Sequence, residues 1–123
     1  MIAGHVNQDR EAIVSISVRG PLGDRTEVDA LVDTGFDGWI SLPSRVVNLL
    51  KLPWRRRGRA ALADGSEHIF DIHEAAVEWD GRLRRVPVDA VESIPMLGMA
   101  LLQDQKLCVE VRPGGSVTIE RLG

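Results

Sequence analysis

Short apolar runs of two-residue period, cut repeatedly by Gly, Pro and Asp-Gly, constrain the fold of this 123-residue chain more than any other feature. Strand side chains alternate between faces, so such runs bury one face of a sheet and cannot supply the continuous stripe of a packed helix. Ile13, Val14, Ile16 and Val18 alternate in large part, and Thr26, Val28, Ala30 and Val32 share one face. The turn cluster Gly20-Pro21-Leu22-Gly23-Asp24 between them predicts a hairpin. Asp64-Gly65 predicts a second hairpin tip, between Ala60–Ala63 and Ile69, Phe70 and Ile72, and Asp80-Gly81 a third, between Ala75–Trp79 and Leu83–Val91. Lys106–Arg112 and Ser116–Arg121 close the chain as a hairpin about Pro113-Gly114-Gly115, with Val109, Val111, Val117 and Ile119 expected in the core. Trp39–Leu42 reads as extended, Met1–Arg10 as a frayed arm or a short edge strand. Two short helices are expected: one opening at Pro43-Ser44 and ended by Pro53, and one at Met99-Ala100-Leu101-Leu102. Six to nine strands and two short helices predict a mainly β, barrel-like fold, and the length fits one domain over residues 1–123.

Hydrophobic residues at 44% and charged residues at 27% are ordinary for a globular chain. A net charge of −3 offers no general attraction to nucleic acid or to anionic membranes. The basic runs Arg55–Arg59, beside Trp54, and Arg82–Arg85 are therefore read as solvated strand faces that resist edge-to-edge aggregation, with no nucleic-acid partner. A single cysteine, Cys108, lies in the apolar run Leu107-Cys108-Val109; it cannot form an internal disulfide, and is expected as a buried core thiol in a reducing compartment. The first ten residues lack the apolar core of a signal peptide, and no 18 consecutive residues are apolar. The expectation is a cytoplasmic protein without a membrane partner.

Chemistry concentrates in Leu31-Val32-Asp33-Thr34-Gly35-Phe36-Asp37-Gly38-Trp39-Ile40. The apolar run Ala30–Val32 delivers a carboxylate, a hydroxyl and a glycine in succession, as a buried strand ending in a tight polar loop does. Apolar neighbours desolvate Asp33, Gly35 permits close backbone approach or positive φ, and Thr34 can hydrogen-bond nearby backbone. Asp-Thr-Gly on its own also suits a plain Asx-type turn. Other chemistries find less support. His5, His68 and His73, with Asp64, Glu67, Asp71 and Glu74 beside the latter two, lack any metal-binding spacing, so no metal or other cofactor is expected. No Gly-x-Ser-x-Gly elbow is present, and Cys108 sits in a strand-like run.

The string from Leu31 through Asp33-Thr34-Gly35-Phe36-Asp37-Gly38 to Ile40, Leu42 and Pro43 resembles the active-site segment of the retropepsin-like aspartic proteases, especially their prokaryotic members. Met96-Leu97-Gly98 matches the family's apolar-apolar-Gly signature, and Ala63-Asp64-Gly65-Ser66 falls where the family carries its flap. The resemblance implies a single-lobe closed β-barrel with one or two short helices. It implies Asp33, Thr34 and Gly35 as catalytic; Phe36, Asp37, Gly38 and the flap residues Ala63–Ser66 as substrate-binding; and Met96, Leu97 and Gly98 as support beneath the catalytic loop. Hydrolysis without a metal or a covalent nucleophile needs one ionised and one protonated carboxylate, and two carboxyls at about 3 Å share one proton. With one Asp-Thr-Gly in a single domain, the second carboxylate is expected from Asp33 of another copy, in a two-fold homodimer acting on peptide or protein substrates. Two departures from the family stand out, a bulky Phe36 after Asp-Thr-Gly and a flap with one glycine. Ser116–Leu122 is the candidate for interleaving terminal strands between subunits. The competing expectation is a non-catalytic module that keeps the fold for dimerisation or peptide binding.

Overall fold

The computed structural model describes residues 1–123. Ten strands and one short helix follow in the order β1 (Ile2–Val6), β2 (Ala12–Arg19), β3 (Arg25–Val32), β4 (Ile40–Leu42), α1 (Ser44–Leu49), β5 (Trp54–Ala61), β6 (Glu67–Trp79), β7 (Arg82–Ala90), β8 (Met96–Leu97), β9 (Gln105–Val109) and β10 (Ser116–Arg121). The turn cues work through backbone conformation. Gly23, Gly65, Gly81 and Gly114 all adopt positive φ, which costs glycine nothing and lets each hairpin reverse tightly.

The strands form one sheet in the order β5-β6-β7-β4-β8-β3-β2-β1-β10-β9, closed by a further pairing of β6 with β2. Closure makes a six-stranded barrel of β2, β3, β8, β4, β7 and β6. Strand β2 is long enough to branch: Ala12–Val14 pair with β1, while Val18 and Arg19 pair with Val77 and Ala76 of β6. The core follows the predicted faces. Val14, Ile16 and Val18 of β2, Val28, Ala30 and Val32 of β3, and Ile40, Leu42, Val77, Val86, Val88 and Leu97 are buried together. Val46, Val47 and Leu50, at α1, and Leu101 and Leu102, after β8, join the same core. No helix is long and apolar enough to cross a membrane.

The structure corrects several expectations. The segment Met1–Arg10 is no frayed arm or edge, because β1 lies between β2 and β10. The stretches Ile69–Ile72 and Ala75–Trp79 belong to one 13-residue strand, β6, which serves both the Asp64-Gly65 and Asp80-Gly81 hairpins. Ten strands form, more than the six to nine expected. No second helix forms at Met99–Leu102: Leu102 N–H reaches Gly98 O (3.3 Å), but the chain turns at Asp104, in positive φ, before a second turn can propagate. Cys108 is exposed, because β9 is an edge strand whose alternation half-buries Leu107 and Val109 and turns the thiol outward. Val111 lies beyond the end of β9 and is 68% exposed. Strand β10 is paired on both edges within its own chain, with β1 and β9, and has no free edge for a strand of a second copy.

Candidate active site

Strand β3 ends at Val32, and Asp33 lies half-buried one residue beyond it. Two hydrogen bonds set the carboxylate in its loop. The Asp33 amide donates to Leu97 O (3.0 Å), continuing the parallel β3–β8 ladder past the last strand residue, and the Gly35 amide donates to Asp33 Oδ1 (2.9 Å). Phe36 N–H closes the turn on Asp33 O at 3.1 Å. Gly35 has no positive φ, and a Cβ there would meet only Asp33 Oδ1, at 3.3 Å, so its place close to the carboxylate is the one tight contact at this position. Thr34 and Asp37 are exposed.

The apolar-apolar-Gly segment lies directly against this loop. Gly98 N–H donates to Trp39 O (2.9 Å), Met99 N–H to Phe36 O (2.8 Å) and Ala100 N–H to Gly38 O (3.0 Å). A Cβ on Gly98 would sit 2.1 Å from Gly38 O and 2.8 Å from Phe36 Cδ2, so the two segments meet at a distance that only glycine allows. The bulky Phe36 is accommodated the same way. Its ring rests over Gly38, where a Cβ would meet Phe36 Cε1 at 2.5 Å, and against Gly98. Trp39 packs on the core, and Arg84 of β7 places its guanidinium 5.5 Å from the indole centroid, a cation–π contact pinning the outer side of the loop.

The structure therefore brings Asp33–Gly38 and Met96–Gly98 into one hydrogen-bonded unit, and leaves Ala63–Ser66 at the exposed tip of the β5–β6 hairpin with no hydrogen bond to that unit. The tip is ordered by its own contacts. Leu62 and Ser66 pair through Leu62 N–H to Ser66 O (2.8 Å), and Asp64 Oδ1 accepts from the Ser66 hydroxyl (2.5 Å) and amide (2.9 Å). Those two bonds favour the ionised carboxyl and hold the Asp64 pKa below its usual value. The arginines of β5 face acids of β6: Arg55 with Glu74 at 2.7 Å, Arg57 with Asp71 at 3.9 Å and Arg59 with Glu67 at 3.8 Å, exposed pairs of small individual value. No three of the His, Cys, Asp and Glu side chains gather as a metal-binding set.

One residue at this site escaped the sequence reading. Asp89 of β7 directs its carboxylate at the loop, with Oδ2 3.4 Å from where a Cβ of Gly38 would lie. Burial raises its pKa above the usual carboxylate value; Arg56 works against that shift and Asp37 adds to it. A lone acid inside the run Val86-Pro87-Val88-Asp89-Ala90-Val91 was the available signal. Three surface depressions of the chain lie elsewhere, lined by residues such as Arg82, Gln103 and Arg121, by Pro21, Pro53 and Arg85, and by Ile2, Ser15 and Glu78; none includes Asp33.

No family model matches the chain, and no curated protein sequence matches it. Solved structures similar in fold include two proteases. A retropepsin-like aspartic protease from Rickettsia conorii superposes with a TM-score of 0.60 at 15% identity, over 99% of this chain and 91% of that one. EIAV protease, complexed with the inhibitor HBY-793, gives 0.55 at 22% identity, over 80% of this chain and 90% of that one.

Proposed function

Given a single-lobe barrel of the retropepsin-like fold, we propose that this chain is an aspartic endopeptidase whose reaction centre is Asp33 paired with Asp33 of a second copy. The observation that carries the reading is the Asp33 loop itself. A half-buried carboxylate follows β3, accepts the Gly35 amide, and is locked through backbone hydrogen bonds to Leu97–Ala100 on a fold shared with aspartic proteases. Two-fold symmetry brings identical residues together at the axis, so one loop per chain suffices for a dyad.

In this reading the ionised carboxyl of the dyad takes a proton from water as its oxygen attacks the scissile carbonyl carbon. The protonated carboxyl gives its proton to the carbonyl oxygen. Collapse of the resulting gem-diol breaks the C–N bond, with a proton delivered to the leaving nitrogen. Thr34 braces the dyad across the axis, Asp37 and Gly38 hold the substrate main chain with Phe36 beside them, and the Ala63–Ser66 tip closes over the peptide to exclude water. Met96, Leu97 and Gly98 keep the loop in register.

The test is cleavage of a diverse peptide library by the wild type and by Asp33→Asn at pH 4 to 7, read by mass spectrometry. Proteolysis present only in the wild type, strongest at about pH 4 to 6, is the expected result. Equal silence from two folded, dimeric proteins would refute the enzyme and leave a peptide-binding or dimerisation module.

A further inference from the structure

Strand register gives the Asp33 loop a floor. Leu31 pairs with Met96, Met96 with Ser41, Ser41 with Asp89, Asp89 with Ile72 and Ile72 with Arg56, one residue from each of six strands in a single row. The next row, Val32, Leu97, Ile40 and Val88, is wholly core. Because side chains alternate along a strand, the Leu31 row faces the opposite side of the sheet, and Asp33, two residues beyond Leu31, shares that side. Leu31, Met96 and Asp89 are each half-buried there, a surface sheltered yet open.

Two polar groups in this row lack partners. Ser41 is 1% exposed, its Oγ has no hydrogen-bond partner, and its cross-strand neighbour on the same face is Asp89. Asp89 itself makes no hydrogen bond or ion pair within the chain, although its carboxylate is partly withdrawn from water and shares its surroundings with Asp37. Buried hydroxyls seldom go without a partner, so Ser41 Oγ stands out, whereas the half-exposed Asp89 carboxylate keeps access to solvent. Gly38 leaves the approach clear, since a side chain there would abut Asp89 Oδ2. The cation whose charge acts on Asp89 is Arg56, two strands away at the exposed end of the row and in no ion pair, while the nearby Asp37 adds a second negative charge.

We propose that Asp89, with the Ser41 hydroxyl beneath it and Asp37 at its rim, forms a subsite that receives a lysine or arginine side chain of the peptide substrate. The proposal rests on the aspartic protease reading and specifies its substrate class. Asp89 lies three strands from β3, about 14 Å at the usual strand spacing, which places the basic residue about four positions from the scissile bond of an extended peptide. A positive side chain arriving there gives the half-buried carboxylate the counter-charge that the chain does not supply, and its donors meet acceptors otherwise left without partners.

A randomised octapeptide pool is passed over the full-length Asp33→Asn protein at neutral pH, and bound peptides are sequenced by mass spectrometry. The same is done with Asp33→Asn/Asp89→Asn and Asp33→Asn/Ser41→Ala. We expect Lys and Arg enriched about tenfold at one position, enrichment abolished by the near-isosteric Asp89→Asn and weakened by Ser41→Ala. Binding without basic enrichment, enrichment indifferent to Asp89, or no peptide binding at all would each overturn the subsite. Cleavage by protein with Asp33 intact is scored separately. Proteolysis without basic preference removes the subsite and keeps the protease; basic-selective binding without proteolysis does the reverse.

Discussion

Gly98→Ala should unlock the candidate active-site loop. The new methyl carbon would lie 2.1 Å from Gly38 O and 2.8 Å from Gly38 C, against ordinary contacts of 3.4 Å or more. Both close atoms are backbone, so no rotamer change relieves the overlap, and the Gly38 carbonyl must withdraw by about 1 Å or more in a packed interior. That carbonyl accepts from Ala100 N–H at 3.0 Å, and the adjacent bonds from Gly98 N–H to Trp39 O and from Met99 N–H to Phe36 O tie the same two segments. Overpacking of this kind costs about 1–3 kcal/mol, and each backbone hydrogen bond lost about 1 kcal/mol more. The expected destabilisation is about 2–5 kcal/mol, a large part of the total stability of a small domain. Urea unfolding followed by tryptophan fluorescence measures it, with near-ultraviolet circular dichroism in a Trp54→Phe/Trp79→Phe background reporting Trp39 in the loop. As a control, Gly35→Ala meets only Asp33 Oδ1, at 3.3 Å, and should cost under about 1 kcal/mol. A Gly98→Ala protein within about 0.5 kcal/mol of wild type, with an unaltered Trp39 signal, would refute the interlocking of these segments.

Further outcomes follow from the same geometry. Burial raises the Asp89 pKa in the folded chain, so the folded state holds that proton to higher pH than the unfolded state. The group's contribution is present below the ordinary carboxylate pKa and is lost as pH rises through the raised one. Asp89→Asn should therefore stabilise the protein at pH 7, modestly given partial exposure and the opposing Arg56, with the difference closing in acid; a destabilised variant at pH 7 contradicts this. Cys108 should react with a thiol reagent in the native state, one label per chain; a thiol silent until unfolding would show that the β9 edge is covered. Specific activity should fall on dilution as dimers separate, and activity proportional to concentration down through a monomeric range, checked by sedimentation, would exclude a shared dyad.

Hairpins were legible because Asp64-Gly65, Asp80-Gly81 and Gly114 encode their turns locally, through positive φ that few other residues accept. The Val28, Ala30 and Val32 face was legible because alternation alone decides which side is buried. Cys108 was misjudged because an apolar run does not reveal that its strand lies at the edge of the sheet. The second helix failed for a related reason: Met99–Leu102 has suitable residues, but Asp104 must turn the chain into β9.

By itself the sequence determined a mainly β fold and picked out Asp33-Thr34-Gly35 and Met96-Leu97-Gly98 as candidates, since turn chemistry, alternation and short motifs are local properties. Tertiary structure alone decided that the Gly98 segment seats against Gly38, that β6 closes the barrel onto β2, and that Ser41, Asp89 and Arg56 fall into one row with Leu31. Those relations join residues many positions apart through strand register, and register is set by how all the strands pack together, which no single stretch of the chain encodes.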